Sequence, residues 1–122
     1  MHELSVAISI VQSVTDARRD YPDETIAAVN VRVGALSGVV PEALRFAWAP
    51  ATQGSALDGT ALNVEFIPAA ADCQTCQATV ELPGQRLVCP ICQTRTPRLV
   101  RGRELEILSL EFQPQPESRH AS

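Results

Sequence analysis

The chain of 122 residues is long enough for about one ordinary domain, or for a small domain plus a metal-stapled module. Its 45% hydrophobic and 20% charged content is that of a globular protein and excludes a disordered one. A formal charge of −4 argues against a surface built throughout for nucleic acid, and all ten basic residues are arginine.

Leu4, Ala7, Ile8 and Val11, continuing to Val14, recur at three-and-four spacing and predict an amphipathic helix from about residue 3 to Arg19. Glu3 in its first turn and Arg18 and Arg19 in its last complement the helix dipole. The run is far short of a membrane span, and His2 and Glu3 stand where a secretory signal carries Lys or Arg. A cytoplasmic protein with no membrane partner is expected. From Thr25 to Val33 the period becomes two, with Ala27, Val29, Val31 and Val33 on one face of a half-buried strand. Gly34 and Ser37-Gly38 supply the turn, and Pro41 opens a second helix with the stripe Leu44, Ala47, Trp48 and Ala51. Pro50 removes a helical hydrogen bond and should kink or end this helix near Ala49.

Leu62, Val64 and Phe66 mark a second strand, closed by Pro68. Residues 104–112 read as a third, with a change of parity that predicts a β-bulge near Ile107-Leu108, or burial on both faces. The residues after Phe112, with two prolines among polar neighbours, are expected to be a disordered tail. The third strand is too apolar to bury itself on a small metal module, so it should return to the first sheet. The fold class is α+β, a small mixed sheet of about three strands with two helices, plus an inserted zinc-ribbon module. The expected division is 1–69 with 103–112 as one discontinuous domain, 70–102 as a zinc-binding domain, and 113–122 as tail.

All four cysteines fall in one pattern, Cys73-x2-Cys76, twelve residues, then Cys89-x2-Cys92. Two such pairs can wrap two turns around one Zn²⁺, a d¹⁰ ion that favours soft sulfur and accepts a tetrahedron. Two disulfides would need an oxidising compartment, and a redox CxxC would need one pair at a helix start. Arg86, Arg95, Arg98, Arg101 and Arg103 lie within or just after this segment. They read as a solvated face that offsets the −2 charge of a zinc tetrathiolate, since no aromatic residue interleaves them to stack a base. A surface for an acidic protein stays open.

His2 is one of two histidines. A terminal amine, the His2 amide nitrogen, its imidazole and the Glu3 amide nitrogen can form a square plane that suits Ni²⁺ or Cu²⁺ and disfavours Zn²⁺. A solvated terminal histidine fits the same residues. Neither a phosphate-binding glycine loop, nor a nucleophile–base pair, nor convergent carboxylates mark the chain as an enzyme, so no catalytic residue is expected.

Met1-His2-Glu3-Leu4-Ser5, the segment from Val33 to Phe46, the two CxxC pairs and Gly102-Arg103-Glu104-Leu105 together resemble the HypA/HybF family, over residues 1 to 112. Those proteins are nickel-incorporation accessory factors of [NiFe]-hydrogenase maturation. The resemblance implies nickel at His2, with the terminal backbone and the Glu3 carboxylate as candidate helpers, and structural zinc at Cys73, Cys76, Cys89 and Cys92. It implies a non-enzymatic metallochaperone that hands Ni²⁺ to a hydrogenase large-subunit precursor, beside a nickel-binding GTPase and in some cases urease accessory proteins. Where the family has glycine after the second cysteine of each pair, this chain has Gln77 and Gln93, which a left-handed knuckle accepts with strain. The alternative is a zinc-ribbon adaptor binding nucleic acid or protein through the arginine face, with salt-sensitive affinity and indifference to residues 1 to 3.

Overall fold

The computed structural model describes residues 2–84, 86–95 and 97–114. Helix α1 (His2–Arg18) leads to strand β1 (Ile26–Gly34), helix α2 (Pro41–Thr52) and strand β2 (Ala61–Ile67). Short strands β3 (Ala70–Cys73), β4 (Ala78–Glu81) and β5 (Arg98–Arg101) follow, and β6 (Leu105–Phe112) closes the described chain. The fold is α+β, with two three-stranded sheets of order β2-β1-β6 and β4-β3-β5. β1 runs parallel to β2 across the α2 connection and antiparallel to β6, so the first sheet is mixed and the third long strand does return to it. Eight terminal residues of the expected tail, 115–122, lie outside the described residues.

Helix α1 buries Ala7, Ile10, Val11 and Val14, one face at i, i+3, i+4 and i+7. This corrects the expected stripe. Ile8, roughly 100° round the helix from Ala7, is exposed, and Ile10 takes its place toward the sheet. In α2, Leu44 and Trp48 are buried as expected, but the helix runs through Pro50 to Thr52. The bond that Pro50 cannot donate would go to the carbonyl of Phe46, and both residues are exposed, on a side of the helix that water can reach. Hydrogen bonds hold the final turn: Thr52 Oγ1 donates to the Trp48 and Ala49 carbonyls at 3.0 and 3.2 Å, and the Gln53 amide donates to Ala49 at 3.1 Å.

Both helices pack on the face of β1 that carries Val29, Val31 and Val33. The change of parity in β6 is a bulge: Asn30 faces Ser109 and Val31 faces Ile107, leaving Leu108 as the extra residue. A second bulge at Ala27 brings Ile26 to the core face beside Val29, although three positions separate them. The outer face is a polar ladder. Asn63 donates to Asn30 Oδ1 at 2.8 Å, Asn30 donates to Glu111, and Arg32 bridges Glu65 and Glu106 at 3.2 and 3.1 Å. These pairs are exposed and each adds little stability.

The two sheets meet through backbone. Gly34 N donates to the Glu104 carbonyl at 2.7 Å and Leu36 N to the Gly102 carbonyl at 2.6 Å. A Cβ on Gly34 would stand 2.2 Å from the Gly102 oxygen, so only glycine permits this crossing. Ala35 and Leu36 then reach into the second core, formed by Ala69, Ala71, Val80, Leu82, Cys73 and Cys89.

Candidate metal sites

Two turns build the first site. Cys73 ends β3, and the turn through Gln74 and Thr75 brings Cys76 back, so that the Cys76 amide donates to Cys73 Sγ at 3.5 Å. The second turn is closed by Cys89 N to the Thr94 carbonyl at 2.9 Å and Gln93 N to the Cys89 carbonyl at 3.0 Å. Each turn ends on a residue in the left-handed region, Gln77 at φ 53° and Gln93 at φ 64°. Among the described residues they are the only non-glycines with positive φ, as their place after the second cysteine of each pair leads one to expect.

The four sulfurs all lie within 4.8 Å of one another, with Cys73 to Cys92 at 3.4 Å and Cys76 to Cys89 at 3.9 Å. Zn–S bonds of about 2.3 Å at tetrahedral angles place sulfurs about 3.8 Å apart, so the cluster fits zinc. None of the four is joined in a disulfide, whose sulfurs would stand at about 2.05 Å. Cys73 and Cys89 are buried, while Cys76 and Cys92 are half-buried. Thr94 Oγ1 lies 2.9 Å from Cys92 Sγ and 3.1 Å from Thr75 Oγ1. Hydrogen bonds from the Thr94 hydroxyl and then its amide hold Cys92 down to about 6. The Cys76 thiol is pushed up to about 12, first by its contact with Cys92 and then by desolvation. Four thiolates this close repel one another, and a dication is the group that lets all four ionise together. The CxxC spacing locates the ligands but gives no sign of Thr94 and Thr75 as their supports.

At the other end, His2 is exposed as the first residue of α1. The first four N–H groups of a helix have no intrahelical acceptor, which leaves the amides of His2 and Glu3 without a helical partner. The Glu3 side chain turns away to a different task. Its Oε2 accepts the backbone N–H of Val40, the residue that precedes α2, at 3.3 Å. That hydrogen bond is the main reason the Glu3 carboxyl sits below its ordinary value. Nothing in the sequence signals this contact between residues 37 positions apart. His2 also stands at one end of a groove between α1 and β6. The expected metal residues thus form two groups, the four cysteines in one and His2 with Glu3 in the other. Arg86, Arg95, Arg98, Arg101 and Arg103 are exposed on and around the cysteine-bearing sheet. No helix among the described residues is long and apolar enough to cross a membrane.

A family profile described as "Hydrogenase/urease nickel incorporation, metallochaperone, hypA" matches residues 1–112. The chain is 45% identical over 112 residues to a protein of Chloroflexus aurantiacus named "Hydrogenase maturation factor HypA", covering 91% of this chain and 98% of that protein. A protein of the same name from Deinococcus radiodurans is 40% identical over 108 residues, covering 88% and 89%. Its fold is similar to the solution structure of the Ni metallochaperone HypA from Helicobacter pylori, with a TM-score of 0.61 at 21% identity, covering 93% of this chain and 98% of that one.

Proposed function

The chain belongs to the HypA family, and from that premise we propose that it is a nickel metallochaperone of [NiFe]-hydrogenase maturation, binding Ni²⁺ through its first three residues. The observation that carries the reading is the position of His2: it is exposed, and its own amide and that of Glu3 lie in the first turn of α1, where no helical carbonyl claims them. With a free amine on Met1 these nitrogens supply a square plane, the geometry nickel prefers over zinc. Such a site can be dismantled one ligand at a time, which is what delivery requires. The Glu3 carboxylate is engaged through Oε2 with the Val40 amide, so the nitrogen set is the resting site and the carboxylate is a reserve.

Cys73, Cys76, Cys89 and Cys92 hold a structural Zn²⁺ in this reading, and its service is to fix residues 70–102 around an otherwise small core. Residues 1–69 with 103–112 form the nickel-handling body. The protein works in the cytoplasm without catalysing a reaction. The hydrogenase large-subunit precursor is the acceptor, and a nickel-binding GTPase and urease accessory proteins are the expected associates. Calorimetric nickel titration of three forms tests the proposal: the native chain, His2→Ala, and a form extended by one glycine before Met1. His2→Ala should lose nickel while keeping zinc and fold, and the extended form should bind more weakly because the amine leaves chelating register. Unchanged affinity in His2→Ala removes the site, and unchanged affinity in the extended form removes the amine from it.

A further inference from the structure

The two helices leave part of their sheet uncovered. β6 is paired on one side only among the described residues. Leu105 and Ile107 sit opposite Val33 and Val31, which places them on the helix side of the sheet. Yet they are 44% and 36% exposed, where Val33 and Val31 are 0% and 1%. The space above them is a groove of about 400 Å³, floored by Val6, Ile10 and Val31 and rimmed along α1 by Ser5, Ser9 and Ser13. His2, the first residue of α1, closes one end of it, and Leu105, Glu106 and Ile107 line its β6 side.

Exposed edges are usually guarded by lysine, proline, inward charges or shortness, because their free N–H and C=O groups recruit other strands. β6 has eight residues and neither lysine nor proline, and its carboxylates turn to the opposite face, where Arg32 holds Glu106 and Asn30 holds Glu111. Its guard is the bulge at Leu108, which leaves the regular stretch from Leu105 to Ile107, the part beside His2, open to pairing. On the outer face at this end Glu65 and Glu106 stand against the single guanidinium of Arg32, and Glu111 follows farther along β6 beyond the bulge, so the face is acidic.

We propose that this edge and groove dock a short extended segment of a partner protein, added beside β6 as a fourth strand. Its alternate apolar side chains fill the groove over Leu105 and Ile107, and the intervening basic side chains face Glu106 and its acidic neighbours. A second copy of this chain is the poorer occupant, because two β6 edges side by side would set Glu106 and Glu111 of each copy against those of the other. The identification of that partner as the protein exchanging nickel with His2 rests on the function proposed above; the docking chemistry stands without it. A strand seated here ends next to the imidazole, which is where an incoming ligand must arrive.

The test uses the isotope-labelled full chain and a short capped peptide alternating valine and arginine. Amide shifts should concentrate on Leu105, Glu106 and Ile107 and on Ser5 and Ser9 across the groove. Ile107→Lys should weaken binding about tenfold or more, as expected when a charge replaces an apolar side chain that the peptide covers. A peptide alternating valine and glutamate should not bind. The shifts are read on the nickel-free chain, so the outcome of the nickel titration bears only on the nickel site. No shift along β6 at millimolar peptide overturns the proposal, and so does equal binding of the glutamate peptide. Concentration-dependent dimers that Ile107→Lys dissolves would give the groove to a second copy and overturn it as well.

Discussion

Replacing Gln77 and Gln93 by glycine should tighten zinc binding. Both residues hold left-handed backbone, at φ 53° and 64°, and both side chains are exposed. A Cβ in that region costs about 1–2 kcal/mol through its approach to the following carbonyl. Glycine removes that cost but brings back about 0.5–1 kcal/mol of backbone entropy on folding. The difference is a gain of about 0.5–1 kcal/mol per site, and folding of a zinc-stapled module appears in the metal affinity. Each substitution should therefore tighten zinc by about two- to fivefold, and the pair by more, with incomplete additivity because both turns grip one ion. Competition against a chromogenic chelator reads this directly. Two controls separate backbone from side chain. Gln77→Ala keeps a Cβ and should gain nothing, and Gln74→Gly, at a position without positive φ, should weaken binding by about the glycine entropy cost. Glycine variants no better than the alanine variant would refute the reasoning.

The Cys73→Ser/Cys92→Ser chain should lose its zinc, worth on the order of 10 kcal/mol to a small module, and expose the amides of residues 70–102 to hydrogen exchange while α1 and α2 keep their circular dichroism. Full zinc occupancy in that variant would defeat the assignment. Gly102→Ala combines a φ of +128° with a Cβ 2.8 Å from Ala69 Cα, so it should destabilise by about 3 kcal/mol or more in denaturant titration. An unchanged midpoint would mean the crossing of the two segments can relax. In the nickel-free protein the Glu3 carboxyl titrates below its ordinary value because Val40 donates to it. Its contribution is therefore fully present above the ordinary glutamate range and disappears as pH falls through the lower, folded value. Exchange of the Val40 amide should accelerate in that acid window, and Glu3→Gln should flatten the dependence; a native profile without that acceleration would place the carboxylate elsewhere.

What is legible in this sequence is what local chemistry fixes. Four thiolates around one ion demand two tight turns, so the grouping of Cys73, Cys76, Cys89 and Cys92 can be read from the chain alone, while the strain at Gln77 and Gln93 is read only from the resemblance to a family with glycine there. The bulge at Leu108 is readable because large residues change parity there, whereas the bulge at Ala27 is silent, since two adjacent alanines carry no phase. The stripes Leu4-Ala7-Ile8-Val11 and Ala7-Ile10-Val11-Val14 have the same period, and only the position of the sheet decides that Ile10 is buried and Ile8 is not. Pro50 misleads for a related reason. An interior proline forfeits one helical hydrogen bond, but a carbonyl that faces water near a helix end still finds a partner. The Glu3–Val40 contact and the groove beside β6 depend on segments far apart in the chain. An exposed Ile107 is written into the sequence as one more apolar strand residue; what makes it available is that α1 passes to one side of it, and no local pattern records where a helix fails to lie.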